Sequence, residues 1–325
     1  MPGPVDEFDW IASLRPLTRG DPRALNLVDD AAVISSRPGF DLVVSEDAMV
    51  EGVHFPADEA PDIIARRLLR VSLSDLAAKG ATPFGYFLMT AWPPGRDEAW
   101  RDRFRAGLAA DGAAFGVALL GGDTVSTPGP LTLNASVLGW SETGRALLRS
   151  GARAGDALIV CGTIGDARLG LKSARGEIDD PDGSLAEHYR LPEPLLKLRP
   201  PLMAHARACA DVSDGLLADA GHIAEASGVG FELELFDLPV SAAAGRWLRT
   251  QPDQARARLE LATGGDDYAL VCAVAPVDVG DFLAAVAALN VPSREVGAFT
   301  ETPGMKITAS GEPVEAAHTG WRHGG

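Results

Sequence analysis

The chain has 325 residues, of which 46% are hydrophobic and 23% are charged, and its formal net charge is −16. This balance is typical of a globular protein with room for about two domains, and it excludes a disordered chain. The negative charge argues against a nucleic-acid or anionic-membrane surface, so an anionic substrate would have to be accompanied by metal.

The N-terminal segment MPGPVDEFDW lacks the basic and then apolar parts of a signal peptide. No apolar run approaches the ~20 residues of a membrane span, and we therefore expect a cytoplasmic protein. Cys161, Cys209 and Cys272 lie in or beside apolar stretches. This placement favours structural core thiols over a disulfide, a thiolate metal site or a nucleophile.

Hydrophobic periodicity predicts alternating strands and helices along the first half of the chain. The predicted strands are Ala31–Ser35, Asp41–Ser45, Phe84–Ala91, Val117–Leu120 and Leu131–Trp140. The predicted helices are Phe8–Leu17, Pro61–Lys79 and Asp97–Phe115.

A second alternating series follows residues 141–156, whose glycines and basic residues indicate a linker. Its predicted strands are Ala157–Cys161, Phe231–Leu235, Tyr268–Val274 and a short one near Val296. Its predicted helices are Asp166–Ala174, Pro194–Cys209, Asp214–Ser227 and Val277–Leu289. The pattern predicts an α/β fold of α+β type, with one domain in residues 1–140 and another in residues 157–325.

Aspartates recur in short clusters beside glycine, serine or apolar runs. An ordinary solvated face would mix them with Lys and Arg, whereas these lie at the edges of buried segments. Carboxylates gathered from several loops suit Mg²⁺, which is usually shared with a substrate's phosphates. The clusters are Asp29 with Asp30, Asp47, Asp75, Asp123, Asp211 with Asp214, and Asp266 with Asp267.

Helical geometry sharpens the prediction for Asp75. Ile64, Leu68 and Val71 form one apolar stripe, and Asp75 is the next position on it. An unpaired buried carboxylate would cost several kcal/mol, which favours a metal or cationic partner. The alternative is a helix-end residue that turns to water or bonds to Ser72.

Two other clusters have a structural interpretation as well. Asp211 or Ser213 could simply be the N-cap of the helix beginning near Asp214, with no role in binding a metal or a nucleotide. The sequence Gly121-Gly122-Asp123-Thr124 could be a tight turn, but paired glycines also allow a backbone to approach a phosphate.

One segment imitates a phosphate-binding loop. Gly165 to Ser173 follows a predicted strand and opens a helix, but Leu171 separates the second glycine from Lys172. The extra residue turns the lysine about 100° around the helix, so we do not expect a phosphate-loop ATPase.

The ordered set of VDDAAV at 28–33, SED at 45–47, EGVHF at 51–55, SLSDLAAKGA at 72–81, GGDT at 121–124, RSGA at 149–152, DVSDGL at 211–216 and GGDDY at 264–268 resembles the thiamine-monophosphate kinase family. SDLAA or GGDT alone would also fit relatives such as aminoimidazole ribonucleotide synthetase and selenophosphate synthetase. The resemblance implies an N-terminal α/β domain that binds ATP and Mg²⁺ and dimerises through its sheet, a C-terminal α/β domain, and a homodimer.

The resemblance also implies site residues, position by position. The implied ligands of several Mg²⁺ ions are Asp30, Ser45, Glu46, Asp47, Asp75, Asp123, Asp211 and Asp214. ATP would be contacted by Gly122, Asp123, Arg149 and Ser213, and thiamine monophosphate by His54, Asp266 and Trp321. No covalent catalyst is implied, and transfer would be supported by Asp47, Asp75, Asp123 and Arg149. Three positions depart from the family pattern. The family usually has glycine at the position of Val28, threonine or serine at that of Glu46, and glutamate at that of Asp266.

The chemistry expected of such a kinase depends on charge. A phosphate monoester has a second pKa near ~6, so the acceptor is already a dianion at neutral pH and needs no base. Positioning and electrostatics would then supply the mechanism, with Arg149 as a fork-shaped phosphate contact. Trp321 could stack on the cationic thiazolium or the pyrimidine, or it could only pack on a neighbouring loop.

Three hypotheses follow. The first is an ATP- and Mg²⁺-dependent kinase that makes thiamine diphosphate by in-line phosphoryl transfer. The second is another ATP-dependent enzyme of the superfamily, similar to aminoimidazole ribonucleotide synthetase, from which His54 and Trp321 distinguish the first. The third is a non-catalytic protein that binds divalent cations and has no ATP affinity.

Overall fold

The computed structural model describes residues 7–321, which form two compact units. Unit 1 contains residues 7–76 and 81–144, and unit 2 contains residues 77–80 and 145–321. The division after Gly144 falls in the segment predicted as a linker. Residues 1–6, on which the leader prediction partly rests, and residues 322–325 of the polar tail lie outside the described part.

Unit 1 is built on a four-stranded sheet with the order β1-β4-β2-β3. Strands β2 and β3 are parallel, and the other pairs are antiparallel. The strands are β1 Phe40–Val50, β2 Thr82–Trp92, β3 Ala118–Ser126 and β4 Thr132–Glu142. The helices are α1 Glu7–Leu14, α2 Pro61–Ala78 and α3 Glu98–Phe115, with 3₁₀ turns at Arg15–Thr18 and Pro22–Leu27.

The two long helices of unit 1 follow from local sequence. The stripe of Ile64, Leu68 and Val71 on α2 is buried, as its spacing predicts. The Asp97 side chain accepts a hydrogen bond from the Trp100 N–H at 2.9 Å and caps the start of α3. Gly116 ends that helix with a φ of 70°, a conformation that glycine adopts readily.

Unit 2 is built on a seven-stranded sheet with the order β11-β10-β7-β9-β5-β8-β6. Only β7 and β10 are parallel neighbours among its described strands. The strands are β5 Ala157–Cys161, β6 Ala206–Asp211, β7 Gly230–Glu234, β8 Leu270–Val274, β9 Ser293–Thr300, β10 Gly304–Ala309 and β11 Glu312–Pro313.

Seven helices of unit 2 lie between the strands of this sheet in the chain and contribute to its apolar core. Cys161, Cys209 and Cys272 are buried in that core as free thiols, as predicted. The seven helices are α4 Asp166–Ala174, α5 Ser184–Arg190, α6 Arg199–His205, α7 Leu216–Ser227, α8 Ala242–Arg249, α9 Gln254–Ala262 and α10 Val279–Ala287. Shorter 3₁₀ turns lie at Leu196–Leu198, Leu235–Asp237 and Pro276–Asp278.

Two predicted elements are wrong. Ala31–Ser35 is not a strand: the Val33 N–H donates to the Arg23 carbonyl at 3.0 Å, and Val33 is 61% exposed. The predicted helix Pro194–Cys209 ends at His205, because the following Ala208 and Cys209 pair with β8 as part of β6. Helices α5, α8 and α9 and the last two strands were not predicted.

The α/β fold class with two domains is confirmed. Among the described residues, none of the helices has both the length and the apolar character needed to cross a bilayer.

Candidate active site

Ser45, Asp47 and Asp75 meet in unit 1. Ser45 and Asp47 alternate on β1 and point to the side of the sheet that carries α2, and the Ser45 hydroxyl donates a hydrogen bond to Asp75 Oδ2. Burial and then the neighbouring charge of Asp75 raise the pKa of Asp47 to about 6. The site therefore holds two carboxylates that repel each other when both are ionised.

No lysine or arginine forms an ion pair with Asp47 or Asp75 in the part of the chain that the structure describes. Asp75 is half-buried and bonded to Ser45, so it has not turned fully to water. The donor set is a hydroxyl and two carboxylates, all hard oxygens. This cluster fits a divalent cation.

Glu46 and Asp123 lie on the opposite face of the same sheet. Glu46 accepts hydrogen bonds from Asn134 Nδ2 and Ser136 Oγ, each at 2.9 Å. Asp123 is exposed and pairs in register with Met89, whose own partner on β4 is Asn134. Strand alternation thus separates these two predicted ligands from the Ser45, Asp47 and Asp75 cluster.

Of three further predicted residues of unit 1, Gly122 lies within β3, whereas Asp30 and His54 lie in connecting segments. A Cβ on Gly122 would lie 1.9 Å from the Leu88 carbonyl oxygen, so this position cannot carry a side chain. Asp30 is exposed in the segment after Pro22–Leu27. The half-buried His54 accepts the Val50 N–H on Nδ1 at 3.0 Å, which leaves Nε2 as the other polar atom of the ring.

In unit 2 the loop Val212–Gly215 joins β6 to α7. Asp211, the last residue of β6, is 5% exposed. Ser213, Asp214 and Gly215 all donate their backbone N–H groups to Asp219 Oδ2, at 3.1, 3.2 and 3.1 Å. One buried carboxylate thus sets the conformation of the loop that carries two predicted site residues.

Asp266 and Trp321 are held against this loop by their backbones. The Asp266 N–H donates to the Ser213 carbonyl at 2.7 Å, and the Trp321 N–H donates to the Asp214 carbonyl at 2.9 Å. Gly320 permits this approach, since a Cβ there would lie 2.6 Å from the Asp214 carbonyl oxygen. The structure therefore brings together Ser213, Asp214, Asp266 and Trp321, which the family resemblance assigned to ATP, Mg²⁺ and thiamine monophosphate.

A cavity of about 780 Å³ runs along α7 and is lined by Asp214, His222 and Trp321. Trp321 is 60% exposed and lines this cavity, so part of the residue is accessible to a ligand. Arg149 is also exposed, and its carbonyl accepts a hydrogen bond from Ser227 Oγ at 3.2 Å, at the end of α7.

Sequence reasoning missed Asp219. Burial and then the charge of Asp214 raise its pKa to about 7, although hydrogen bonds from the Gly215 and Asp214 N–H groups and the charge of Arg149 oppose the shift. The available signal was an aspartate in the first turn of the helix, four residues after Gly215, where a carboxylate can reach the free N–H groups.

In the segment Gly165 to Ser173, which imitates a phosphate-binding loop, a carboxylate of the protein itself already accepts the backbone N–H groups. Buried Asp267 accepts the Gly165 N–H on Oδ2 at 2.7 Å and the Ala167 N–H on Oδ1 at 3.1 Å. Lys172 forms an ion pair with Glu260. The start of α4 therefore has no free donors at these positions for a phosphate.

Comparisons with known proteins agree with this arrangement. The model of the AIR synthase related protein N-terminal domain matches residues 28–141, and that of the C-terminal domain matches residues 153–310. Thiamine-monophosphate kinase of Caulobacter vibrioides is 55% identical over 322 residues, which cover 99% of this chain and 92% of the relative. The chain belongs to the thiamine-monophosphate kinase family.

Solved structures lead to the same family. The crystal structure of thiamine-monophosphate kinase from Stenotrophomonas maltophilia K279a has a TM-score of 0.83 and 35% identity, over 95% of this chain and 98% of that one. The structure of AaThiL complexed with AMPPCP and TMP has a TM-score of 0.77 and 25% identity, over 98% of this chain and 96% of that one. The predictions of the family and of an enzyme are confirmed.

Proposed function

We propose that this enzyme transfers the γ-phosphoryl group of ATP in line to the phosphate of thiamine monophosphate. An acceptor phosphate oxygen forms the new bond to the γ-phosphorus, the bond to the β-phosphate oxygen breaks, and the products are thiamine diphosphate and ADP. The observation that carries the proposal is the cluster of Ser45, Asp47 and Asp75, whose two carboxylates form no ion pair with a lysine or arginine among residues 7–321. A relative of known structure binds AMPPCP and TMP.

Mg²⁺ fits this cluster because its donors are carboxylate and hydroxyl oxygens. When bound, the ion neutralises phosphate charge and favours attack by an anionic acceptor. We assign Mg²⁺ binding in unit 1 to Asp47 and Asp75 with Ser45 and to Asp30, and Mg²⁺ binding in unit 2 to Asp211 and Asp214. Glu46 and Asp123, on the opposite face of the unit 1 sheet, would bind a separate ion. Glu46 already has two hydrogen-bond donors of its own, which would have to be shared or released on binding.

The remaining residues bind and orient the substrates. Gly122 lets a backbone approach phosphate oxygens, and the exposed guanidinium of Arg149 donates to them, while Asp123 and Ser213 complete the ATP contacts. In unit 2 the largely exposed Trp321 and Asp266 bind the thiamine ring system, and in unit 1 His54 supplies a further polar contact. No base is needed, because the acceptor monoester is already ionised near pH 7.

We also propose that the enzyme is a homodimer joined through the unit 1 sheet. The face opposite α2 exposes Leu42 at 44%, Val44 at 56% and Val125 at 45%. Exposed apolar residues gathered on one sheet face favour association. Sedimentation should give a dimer for the wild type and a monomer for Val44→Asp, and a monomeric wild type would contradict the proposal.

The reaction is tested by incubating purified protein with ATP, Mg²⁺ and thiamine monophosphate and separating the products by chromatography. We expect thiamine diphosphate and ADP in equal amounts, and no product when EDTA removes the metal. ADP with free phosphate and no thiamine diphosphate would instead favour a relative that activates an amide. Metal binding without ATP binding would favour a non-catalytic protein.

Transfer in line has its own test. ATP with a γ-phosphorus made chiral by sulfur and oxygen isotopes should give thiamine diphosphate with inverted configuration, because a single displacement inverts the phosphorus. Retention would indicate a phosphorylated enzyme intermediate and would overturn the direct mechanism while leaving the overall reaction in place.

A further inference from the structure

Three potential metal ligands lie together at the start of α7, and two of them have no role in the function proposed above. Asp214, Asp219 and His222 each offer one ligand atom, and these atoms lie within 4.8 Å of one another. Asp219 and His222 are three residues apart on α7 and so share a face of the helix. Asp214 precedes the helix in the loop that Asp219 holds.

The two oxygens of Asp219 have different surroundings. Oδ2 accepts all three N–H groups of the loop, from Ser213, Asp214 and Gly215. Oδ1 is buried and has no hydrogen-bond partner among residues 7–321, in a residue that is 1% exposed. A buried carboxylate oxygen without a partner is costly, and a cation would satisfy it.

His222 adds a nitrogen ligand to the cluster and lines a cavity through which an ion could enter from solvent. Its side chain is half-buried and, like Asp214, lines the cavity of about 780 Å³ along α7. With a neutral imidazole the three groups carry a formal charge of −2, which a divalent ion balances. Arg149 is the cation whose charge acts on Asp219, and its side chain is exposed and so screened by water.

We propose that Asp214, Asp219 and His222 form a binding site for a divalent cation that accepts nitrogen, of the Mn²⁺ or Zn²⁺ class. Mg²⁺ prefers oxygen ligands alone, whereas imidazole with carboxylates suits these ions. Three protein ligands leave positions for water or a phosphate oxygen. The bound ion ties the loop Val212–Gly215 to the first turns of α7. Asp214 is also one of the proposed Mg²⁺ ligands, so for this residue the inference rests on the proposed function.

Pulsed electron paramagnetic resonance of Mn²⁺ tests the site without catalysis. The full-length protein is saturated with Mn²⁺ in the absence of nucleotide, so that the all-oxygen sites are filled as well, and the spectrum is searched for coupling to a directly bound imidazole nitrogen. We expect this coupling in the wild type and its loss in His222→Ala. His205→Ala is the matched control, since His205 Nδ1 lies 3.9 Å from a carboxylate oxygen of Asp278 but belongs to no three-ligand cluster in the described residues.

Calorimetry with Zn²⁺ gives a second measurement. His222→Ala and the conservative His222→Gln should each bind one equivalent fewer than the wild type, or bind it at least 10-fold more weakly, while His205→Ala should be unchanged. Circular dichroism establishes that each variant is folded. Absence of nitrogen coupling in the wild type, or its survival in His222→Ala, overturns the site.

The kinase assay is run separately on the same samples, so that the two proposals can fail independently. Nitrogen coupling in a protein without kinase activity would refute the proposed function alone. Kinase activity without nitrogen coupling would refute this site alone.

Discussion

Ser45 on β1 and Asp75 on α2 are joined by a hydrogen bond from the serine hydroxyl to the carboxylate, 30 residues apart in sequence. The bond fixes a helix carboxylate against a strand that also carries Asp47. Asp75→Asn should therefore keep the geometry but lose the charge. We expect kcat to fall at least 100-fold at saturating Mg²⁺, which corresponds to about 3 kcal/mol of barrier.

The matched control for Asp75→Asn is Asp62→Asn on the same helix. The Asp62 side chain is 37% exposed and forms a surface ion pair with Arg103 at 2.6 Å, and such pairs contribute little. Its kcat should stay within about 2-fold of wild type. Activity of Asp75→Asn above about a tenth of wild type would remove Asp75 from the Mg²⁺ ligands.

Lys172→Ala should leave the Kd for ATP within about 2-fold of wild type, because Lys172 pairs with Glu260 and the start of α4 is filled by Asp267. Arg149→Ala is the comparison and should weaken ATP binding about 10-fold or more through loss of a charge-assisted phosphate contact. Isothermal titration with a non-hydrolysable ATP analogue measures both. A 10-fold loss on changing Lys172 would restore the phosphate-loop interpretation.

Trp321→Ala should raise the KM for thiamine monophosphate about 5- to 30-fold and leave the KM for ATP nearly unchanged, since a stacking or cation–π contact is worth ~1 to 2 kcal/mol. Trp321→Phe keeps a ring and should lose less. Free thiamine should not be phosphorylated, because its hydroxyl has no base to deprotonate it. Equal effects on both substrates would count against a thiamine contact at Trp321, which is 60% exposed.

The lowered pKa of Glu234, at the end of β7, predicts how the free energy of unfolding depends on pH in acid. Burial opposes its ionised form, but the N–H groups of Phe236, Gly311 and Ser310 and the hydroxyl of Thr308 outweigh burial and lower its pKa to about 2. The folded chain thus favours the carboxylate. Its contribution is complete above the ordinary pKa of 4.5 and is lost as pH falls toward about 2.

Glu234→Gln should accordingly reduce the free energy of unfolding by about 1 to 2 kcal/mol at pH 7, and the difference should shrink below pH 4. Urea unfolding at a series of pH values measures it. Glu232→Gln on the same strand is the control, because that side chain is exposed and a surface ion pair such as the one it forms with Lys306 at 3.3 Å contributes little. A difference for Glu234→Gln that stays constant down to pH 2.5 would contradict the assignment.

The sequence predicted those parts of the fold and site that depend on local pattern. The apolar stripe of Ile64, Leu68 and Val71 correctly placed α2 and left Asp75 beside buried residues. Pattern could not show that β6 begins at Ala206, because the short alanine-rich segment 206–210 suits a helix as well as a strand until β8 pairs with it. Ala31–Ser35 has strand composition, but no strand partner for it is found in the described residues.

Site residues could be predicted where a charged side chain stands in an unusual, apolar sequence context. A site residue was missed where its hydrogen-bond partners are backbone groups. Carboxylates at buried edges pointed to Asp47 and Asp75. Asp219 was missed, because its partners are three N–H groups that only the folded loop brings together. The separation of Glu46 from Asp47 by strand alternation was equally available from the sequence once β1 was known to continue to Val50.

Asp267 and Asp219 place carboxylates at the starts of α4 and α7, where their oxygens accept backbone N–H groups that could otherwise have received a phosphate. These helix ends thus have little positive potential left to offer a nucleotide. In a protein with a net charge of −16, attraction for ATP must then come largely from cations taken from solution. We expect affinity for ATP to follow the free Mg²⁺ concentration, so that the supply of this ion sets the rate of the enzyme as directly as the supply of nucleotide.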